Sequence, residues 1–157
     1  MSKASLQLQR QLLAVLADGS FHSGQTLAEQ FGVSRTAIAN YINDLEQVGL
    51  DVYKVKGKGY GLARPLLLLD AQRIKQLQPS VAAPVLVQHI TDSTNLQLMQ
   101  MLHNTTPPVK ATVVVAEAQT AGRGRRGRPW YSPYGSNLYF SYYWRLEQGV
   151  QAAMGLS

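Results

Sequence analysis

The sequence predicts an α+β protein in which an N-terminal winged helix-turn-helix is followed by a domain built on a sheet. Three observations support this prediction. Apolar residues recur at helical spacing up to Val48, a glycine- and lysine-rich hairpin follows them, and two strand-like runs later flank an arginine-rich loop. We therefore divide the chain into a first domain at 1–64, a linker with a short helix at 65–84 and a second domain at 85–157.

Three helices are expected in the first domain. Apolar spacing predicts the first at Ser5–Ala17, and serine N-caps predict a second at Ser23–Gln30 and a third that begins at Ser34 and ends at Gly49. Gly32 suits the tight turn between the second and third helices, where a positive φ is needed. This arrangement is typical of a helix-turn-helix.

The outer face of the third helix and the hairpin after it indicate DNA binding. Short polar side chains and one arginine on that face suit base edges and phosphates, and the basic, glycine-rich tip of the hairpin at 51–62 predicts a wing. The alternatives are a three-helix bundle without a DNA role and a hairpin whose solvated lysines protect a sheet edge. The predicted DNA-binding residues are Ser34, Arg35, Thr36, Asn40, Asn43, Lys54, Lys56 and Lys58.

The second domain is expected to contain three strands. Val85–Ile90 is predicted to be a buried strand, Thr112–Ala118 an interior strand because it is continuous and β-branched, and Asn137–Trp144 a strand with alternating aromatic residues. A short helix capped by Asp70 precedes them, and residues 150–157 are typical of the start of another helix.

The segment Asp92–Asn95 is a polar turn between the first of these strands and a predicted helix. Its side chains, together with the unpaired N–H groups at the start of that helix, suit a small polar ligand. Plain helix capping is the alternative interpretation of the same four residues.

Residues 119–131, QTAGRGRRGRPWY, contain four arginines, three glycines and no acidic residue. They show no apolar period, so we expect a mobile loop rather than a helix or a strand. Glycine permits positive φ or a close approach to a ligand, and guanidinium groups bind planar anions such as carboxylate and phosphate. We interpret the loop as an anion lid between two strands; the alternatives are an RGG-like tail that binds nucleic acid and a solvated basic loop.

Composition narrows the functional classes. Residues 1–64 hold seven basic and five acidic side chains, and residues 65–157 hold eight basic and four acidic ones. The net charge of +4 in residues 65–157 equals the number of arginines in the loop, so the basic charge is local. Cysteine is absent, which excludes a disulfide framework, and His22, His89 and His103 lack ligand spacing, so no metal site is expected. The lack of a long apolar run and the polar N-terminus predict a soluble cytoplasmic protein without a membrane partner.

Three features occur in order along the chain: the winged helix, Asp92–Asn95 before a helix, and the string EAQTAGRGRRGRPW with SPYGSNLY after it. Together they resemble the bacterial bifunctional biotin protein ligase and biotin-operon repressor family, over essentially the whole chain. The resemblance implies a catalytic half with a class II aminoacyl-tRNA-synthetase-like fold, of which this chain holds the first part.

The resemblance also implies roles for individual residues. The biotin-binding set is Ser93, Thr94, Asn95, Gln119, Arg123, Gly124 and Arg125, and Arg123 and Arg125 also have a catalytic role. The implied ATP or adenylate loop contains Gly122, Arg126, Gly127, Arg128 and Trp130. A core position is the alternative for Trp130.

A reaction follows from the same resemblance. Biotin and ATP, the latter carried with Mg²⁺, would form biotinyl-5′-AMP, and biotin would then pass to a lysine of a biotin carboxyl carrier protein. Loop arginines would screen the two anions and close over the reactive anhydride. Operator DNA and a ligand-bound homodimer are the other implied partners. The alternative function is a DNA-binding regulator whose ligase half is inactive.

Members of this family continue for about as many residues again, with the rest of the central sheet, a lysine that assists adenylation, an adenine-covering loop and a small C-terminal β-barrel. We therefore expect this chain to be a fragment of a longer protein or a truncated product. Pro129 stands where a basic residue is common in the family, so the loop has one positive charge fewer.

Overall fold

A computed structural model describes residues 3–79, 83–104 and 106–147 of the chain. Helices and strands mix as expected for an α+β protein, and the helix start predicted at 150–157 lies outside the described residues. The elements in order are α1 (Lys3–Leu16), α2 (Gly24–Phe31), α3 (Arg35–Gln47), β1 (Val52–Val55), β2 (Gly59–Leu62), α4 (Ala71–Leu77), β3 (Val85–Thr91), α5 (Thr94–Leu102), β4 (Val113–Gln119), a 3-10 turn (Arg125–Gly127) and β5 (Tyr139–Tyr142).

The helix-turn-helix forms where the capping residues predict it. The Ser23 hydroxyl accepts the N–H of Thr26 at 3.0 Å at the start of α2, and the Ser34 hydroxyl accepts the N–H of Ala37 at 3.1 Å at the start of α3. Gly32 has φ 63° between them. The core that α1, α2 and α3 enclose contains Leu12, Leu13, Leu16, Leu27, Ile38, Ile42 and Leu45.

The wing is an antiparallel pair of strands, β1 and β2, with Val55 opposite Gly59. His22 adds a bridge on the far side of β2, because its backbone exchanges hydrogen bonds of 2.8 and 2.9 Å with Tyr60. A Cβ on Gly59 would lie 2.0 Å from the His22 carbonyl oxygen, so this close approach requires glycine. The predicted hairpin is therefore present and fastened to the loop that precedes α2.

The second domain has a three-stranded sheet in the order β3-β4-β5, with β3 and β4 parallel and β4 and β5 antiparallel. The prediction of an interior strand is confirmed for β4, where Val114 and Ala116 are fully buried. The prediction of a buried strand at Val85–Ile90 is wrong, because these residues are only half buried and, among the described residues, β3 pairs with β4 alone. Its apolar composition reflects a single covered face, with Ile90 packed against the helical core.

The two domains pack against each other through the linker and the segment before β5. Tyr134 is only 3% exposed, joins the core of the helical domain and donates its N–H to the Val48 carbonyl at 2.9 Å. Leu66 donates its N–H to the Ala17 carbonyl at 2.9 Å. The buried Glu117 carboxylate accepts the N–H of Leu69. The apolar run 66–69 is therefore covered on one side by the helical domain.

Candidate functional site

The polar turn at the end of β3 is ordered by its own side chains. Asp92 Oδ1 accepts the N–H of Ser93 at 2.6 Å and the hydroxyl of Thr91 at 3.1 Å. The Ser93 hydroxyl caps α5 by accepting the N–H of Leu96 at 3.5 Å. The capping alternative is therefore correct for Ser93, but the same turn also borders a cavity.

Gln119 joins this turn to the end of β4. Because β3 and β4 are parallel, their carboxyl ends meet at one edge of the sheet, which brings Gln119 beside the start of α5. Gln119 Oε1 accepts the backbone N–H of Thr94 at 2.9 Å and the Thr94 hydroxyl at 3.2 Å. Gln119 Nε2 donates to the Ser132 hydroxyl at 3.3 Å. One amide thus connects α5 and β4 to Ser132, two residues beyond Trp130.

The arginine loop, residues 122–130, is closed by backbone pairing. Gly124 donates its N–H to the Arg128 carbonyl at 2.7 Å, and Trp130 donates its N–H to the Gly122 carbonyl at 2.9 Å. The 3-10 turn at Arg125–Gly127 forms the tip. This turn is only three residues long and contains Arg126 at φ 60° and ψ 32°, so the segment is a loop rather than a helix or a strand, as predicted.

Two residues show the backbone demands of the loop. A Cβ on Gly122 would lie 2.9 Å from both the Ser132 hydroxyl and the Trp130 carbonyl oxygen, so glycine allows the stem of the loop to close. Arg126 has φ 60°, in the left-handed region that a non-glycine residue enters only at a cost. Of the three loop glycines, only Gly127 has a positive φ.

A cavity of about 550 Å³ opens between α5, the end of β4, the arginine loop and β5. All seven residues assigned to biotin by resemblance line it, and they come from three separate segments of the sequence. Trp130 lines it as well and is 61% exposed, so the core alternative for this tryptophan is wrong. The predicted residues on the wall are Ser93, Thr94, Asn95, Gln119, Arg123, Gly124, Arg125 and Trp130.

Sequence reasoning missed the part of the wall that α5 and β5 supply. The side chain of Ser141 lies beside α5 and its hydroxyl is 2.9 Å from that of Thr94. Alternation along β5 is visible in the sequence, but the face turned toward the cavity depends on the strand register. The additional residues on the wall are Leu96, Met99, Leu138, Tyr139, Phe140 and Ser141.

The remaining loop residues that the resemblance assigned to ATP do not line this cavity. Arg126, Gly127 and Arg128 lie on the exposed outer side of the loop tip, whereas Gly122 is buried in its stem. The cavity wall carries two arginines, Arg123 and Arg125, and no acidic side chain. Its charge therefore favours an anionic group such as a carboxylate or a phosphate.

A second basic surface lies on the helical domain. Its cavity, of about 430 Å³, lies between the start of α2, the start of α3 and the wing, and Arg35, Lys54 and Lys56 line it. Lys58 points elsewhere, with its Nζ 5.9 Å from the centroid of the Phe21 ring. The other predicted DNA-binding residues, Ser34, Thr36, Asn40 and Asn43, are exposed at the start and on the outer face of α3.

Lys54 is already paired within the protein. Its Nζ donates to Glu46 Oε2 at 2.8 Å and to Asn43 Oδ1 at 2.9 Å. Both Lys54 and Asn43 were predicted to contact DNA, and here they contact each other. In contrast, no ion pair involves Arg35 or Lys56 within the described ranges.

Over residues 3–79, 83–104 and 106–147, no group of three or more histidine, aspartate or glutamate side chains is placed to hold a metal ion. None of the helices that the structure describes is both long and apolar enough to cross a membrane.

Comparison with known proteins matches each of the two parts of the chain to a recognised family. The family described as "HTH domain" matches residues 8–61, and the "Biotin/lipoate A/B protein ligase family" matches residues 87–155. The chain joins an HTH domain to part of a biotin/lipoate ligase domain. This confirms the predicted fold class and the family resemblance.

Relatives that match most of the chain carry the name "Bifunctional ligase/repressor BirA". The chain is 51% identical to the protein of Salmonella typhimurium strain LT2 and 48% identical to that of Escherichia coli strain K12, in each case over 93% of this chain and 44% of the relative. It is 35% identical to the protein of Bacillus subtilis strain 168, over 80% of this chain and 38% of the relative. The chain therefore spans less than half the length of these relatives.

Proposed function

We propose that this chain forms the DNA-binding part and the biotin-binding part of a bifunctional biotin protein ligase and repressor. The main support is that seven residues from three separate segments, assigned to biotin by resemblance alone, line a single cavity. The names of the relatives point to the same pair of activities.

The chemistry of the cavity suits biotin, which has a polar ureido ring, an apolar tail and a carboxylate. Polar side chains cluster at the end formed by Ser93, Thr94 and Gln119, where a ureido group would find hydrogen-bond partners. Leu96 and Met99 offer apolar surface for the tail. Arg123 and Arg125 on the loop supply positive charge for the carboxylate.

In the proposed reaction the carboxylate of biotin attacks the α-phosphate of ATP and displaces pyrophosphate, which gives biotinyl-5′-AMP. The amine of a carrier-protein lysine then attacks the acyl carbon, forms an amide and releases AMP. Two anions must approach each other in the first step, so the guanidinium groups of Arg123 and Arg125 would lower the barrier by screening their repulsion. Arg126 and Arg128 lie on the outer side of the loop tip, which is accessible to a polyphosphate. Mg²⁺ would bind through the oxygens of ATP rather than through a protein cage.

The helical domain is proposed to bind operator DNA, with α3 in the major groove and the wing against the phosphates. Arg35 and Lys56 support this because they are basic, exposed and beside one cavity. A homodimer would place two recognition helices on a two-part operator. Both activities would take place in the cytoplasm, where ATP and DNA are available.

A DNA-binding regulator without ligase activity is the second candidate. The favouring observation is that the basic surface with Arg35, Lys54 and Lys56 belongs to the helical domain and shares no residue with the biotin cavity. Under this hypothesis the cavity would bind biotin as an effector, and no transfer to a carrier protein would occur.

Two measurements separate these candidates. Titration calorimetry with biotin tests the cavity, with Arg125→Ala expected to weaken binding and Arg145→Ala, an exposed arginine outside the cavity, as the matched control. Incubation with labelled biotin, ATP, Mg²⁺ and a carrier domain then tests transfer. Labelling of the carrier supports the ligase, and biotin binding without labelling supports the regulator. No measurable heat with biotin would reject both.

The DNA-binding half has its own experiment. Arg35→Ala and Lys56→Ala are expected to weaken duplex binding, and only the change in α3 is expected to alter sequence preference, because the lysine contacts phosphate. Lys75→Ala, in the linker helix, is the control for loss of one positive charge. Equal affinities of all four proteins across a salt titration would reject the proposed interface.

A further inference from the structure

A separate cavity of about 610 Å³ lies between the two domains, and we refer to it as the interdomain cleft. Residues of α1 and α3 form one wall, and residues of β3 together with Tyr134 form the other. The cleft shares no lining residue with the biotin cavity or with the basic surface beside the wing. Its volume is in the range of small-molecule sites, which often occur where two domains meet.

The interdomain cleft combines apolar surface with polar side chains. Leu13 and Leu45 belong to the helical core and Ile90 packs against it, so all three offer apolar surface to an occupant. Gln11 on α1 is exposed and Gln88 on β3 is half buried, and each amide can both donate and accept hydrogen bonds. An occupant with an apolar body and one polar end therefore matches these walls.

The charge of the interdomain cleft is positive. Among the residues that the structure describes, Arg10 is the one arginine or lysine on its wall, and no carboxylate lines it. Arg10 is exposed and forms no ion pair within the same described part of the chain. Burial and the charge of Arg10 lower the pKa of His89 to about 4, so the His89 ring is neutral at neutral pH. The positive charge of Arg10 is therefore not compensated by a neighbouring acid.

We propose that the interdomain cleft is a second binding site, which takes a small carboxylate with an apolar body. The guanidinium group of Arg10 binds the carboxylate, because it can donate two parallel hydrogen bonds to a planar anion. The apolar body lies against Leu13, Leu45 and Ile90 and is removed from water there. Because the two walls belong to different domains, the bound carboxylate contacts both and stabilises their packing. This site goes beyond the proposed function and does not depend on it.

The test uses hexanoate as the probe. Hexanamide and hexylamine have the same apolar chain but are neutral and cationic at neutral pH, so the three compounds separate charge from apolar contact. Each is titrated into the full chain in the presence of excess biotin, and NMR follows the ring resonances of His89, which lines the interdomain cleft and not the biotin cavity. We expect hexanoate to shift these resonances at lower concentration than hexanamide, and hexylamine to bind most weakly.

Two variants change the charge and the space of the interdomain cleft separately. Arg10→Gln is expected to weaken hexanoate binding by about two- to five-fold, as for loss of an exposed ion pair, and to leave hexanamide binding nearly unchanged. Arg73→Gln, on α4 outside the cleft, is the matched control for loss of one positive charge. Ala14→Phe fills the cleft without changing its charge and is expected to abolish the shifts with hexanoate. Unfolding temperatures show that each variant keeps the fold.

Three results would overturn the proposal. Equal affinities for hexanoate and hexanamide, or an unchanged affinity for hexanoate in Arg10→Gln, would show that the cleft does not recognise a carboxylate. Absence of any shift at His89 in the wild type would show that no probe binds there. Shifts of full size in Ala14→Phe would show that hexanoate binds elsewhere. None of these results depends on whether biotin binds, so this inference and the proposed function fail independently.

Discussion

Tyr134 joins the two domains, and truncating it tests whether they unfold as one unit. Its ring is 3% exposed within the helical core, its N–H donates to Val48, and its hydroxyl lies 3.1 Å from His89 Nδ1. Tyr134→Phe removes only the hydroxyl contact and is expected to cost about 1 kcal/mol. Tyr134→Ala also removes the buried ring and is expected to cost about 3–5 kcal/mol, as for other buried aromatic residues. Both variants keep the backbone hydrogen bond.

Urea unfolding followed by circular dichroism and by tryptophan fluorescence measures these costs. Circular dichroism reports mainly the helices, whereas Trp130 and Trp144 report the second domain. In the wild type and Tyr134→Phe we expect the two signals to coincide, and in Tyr134→Ala we expect the fluorescence change to separate from the helical one. Tyr131→Ala, at a 75% exposed tyrosine, is the control. Coincident transitions in Tyr134→Ala, with a cost no larger than that of Tyr134→Phe, would refute the role of the ring.

Three further predictions concern stability. Burial and the nearby Arg10 lower the pKa of His89 to about 4, so the contribution of neutral His89 to stability is complete above about pH 6.5 and is lost as pH falls toward 4. In urea titrations at a series of pH values, His89→Gln should reduce the pH dependence of the unfolding free energy over this range. Burial raises the pKa of Glu117, so folding favours the protonated carboxyl group and stability is lost as pH rises. Glu117→Gln keeps an acceptor for the N–H of Leu69 and should have a larger unfolding free energy than the wild type at pH 7. This difference should disappear in acid. Arg126 has φ 60°, so Arg126→Val should lower stability by about 1 kcal/mol whereas Arg126→Asn should not, and calorimetric melting of the two variants compares them.

Local rules were sufficient for the helical domain. Ser23, Ser34 and Gly32 each satisfy a backbone requirement that involves residues within one helical turn, so the sequence indicates them directly. The wing was equally visible, since glycines and lysines between two short apolar runs indicate a hairpin. The bridge from His22 to Tyr60 was not visible, because it joins residues 38 positions apart that share no pattern.

The site was predicted in part, and the missing part has a common cause. Family resemblance supplied Ser93 to Asn95, Gln119 and part of the loop, and these residues line one cavity. Four other loop residues that it supplied lie outside that cavity: Gly122, Arg126, Gly127 and Arg128. Ser141 was missed because its contact with Thr94 depends on the register of β5 against β4, which alternation alone does not fix. The error at β3 has the same origin, since a run of apolar residues does not show whether a strand has one neighbour or two.

The pairing of Lys54 with Glu46 and Asn43 has a consequence for the proposed complex with DNA. A lysine that is free in solution adds to the salt dependence of binding, because the phosphate it neutralises releases a condensed counterion. For Lys54 this counterion release is offset, because Lys54 must first break its ion pair with Glu46. The freed Glu46 carboxylate then attracts a cation from solution. Arg35 and Lys56 should therefore each contribute fully to the slope of log affinity against log salt concentration, whereas Lys54 should contribute very little, even if all three contact the duplex.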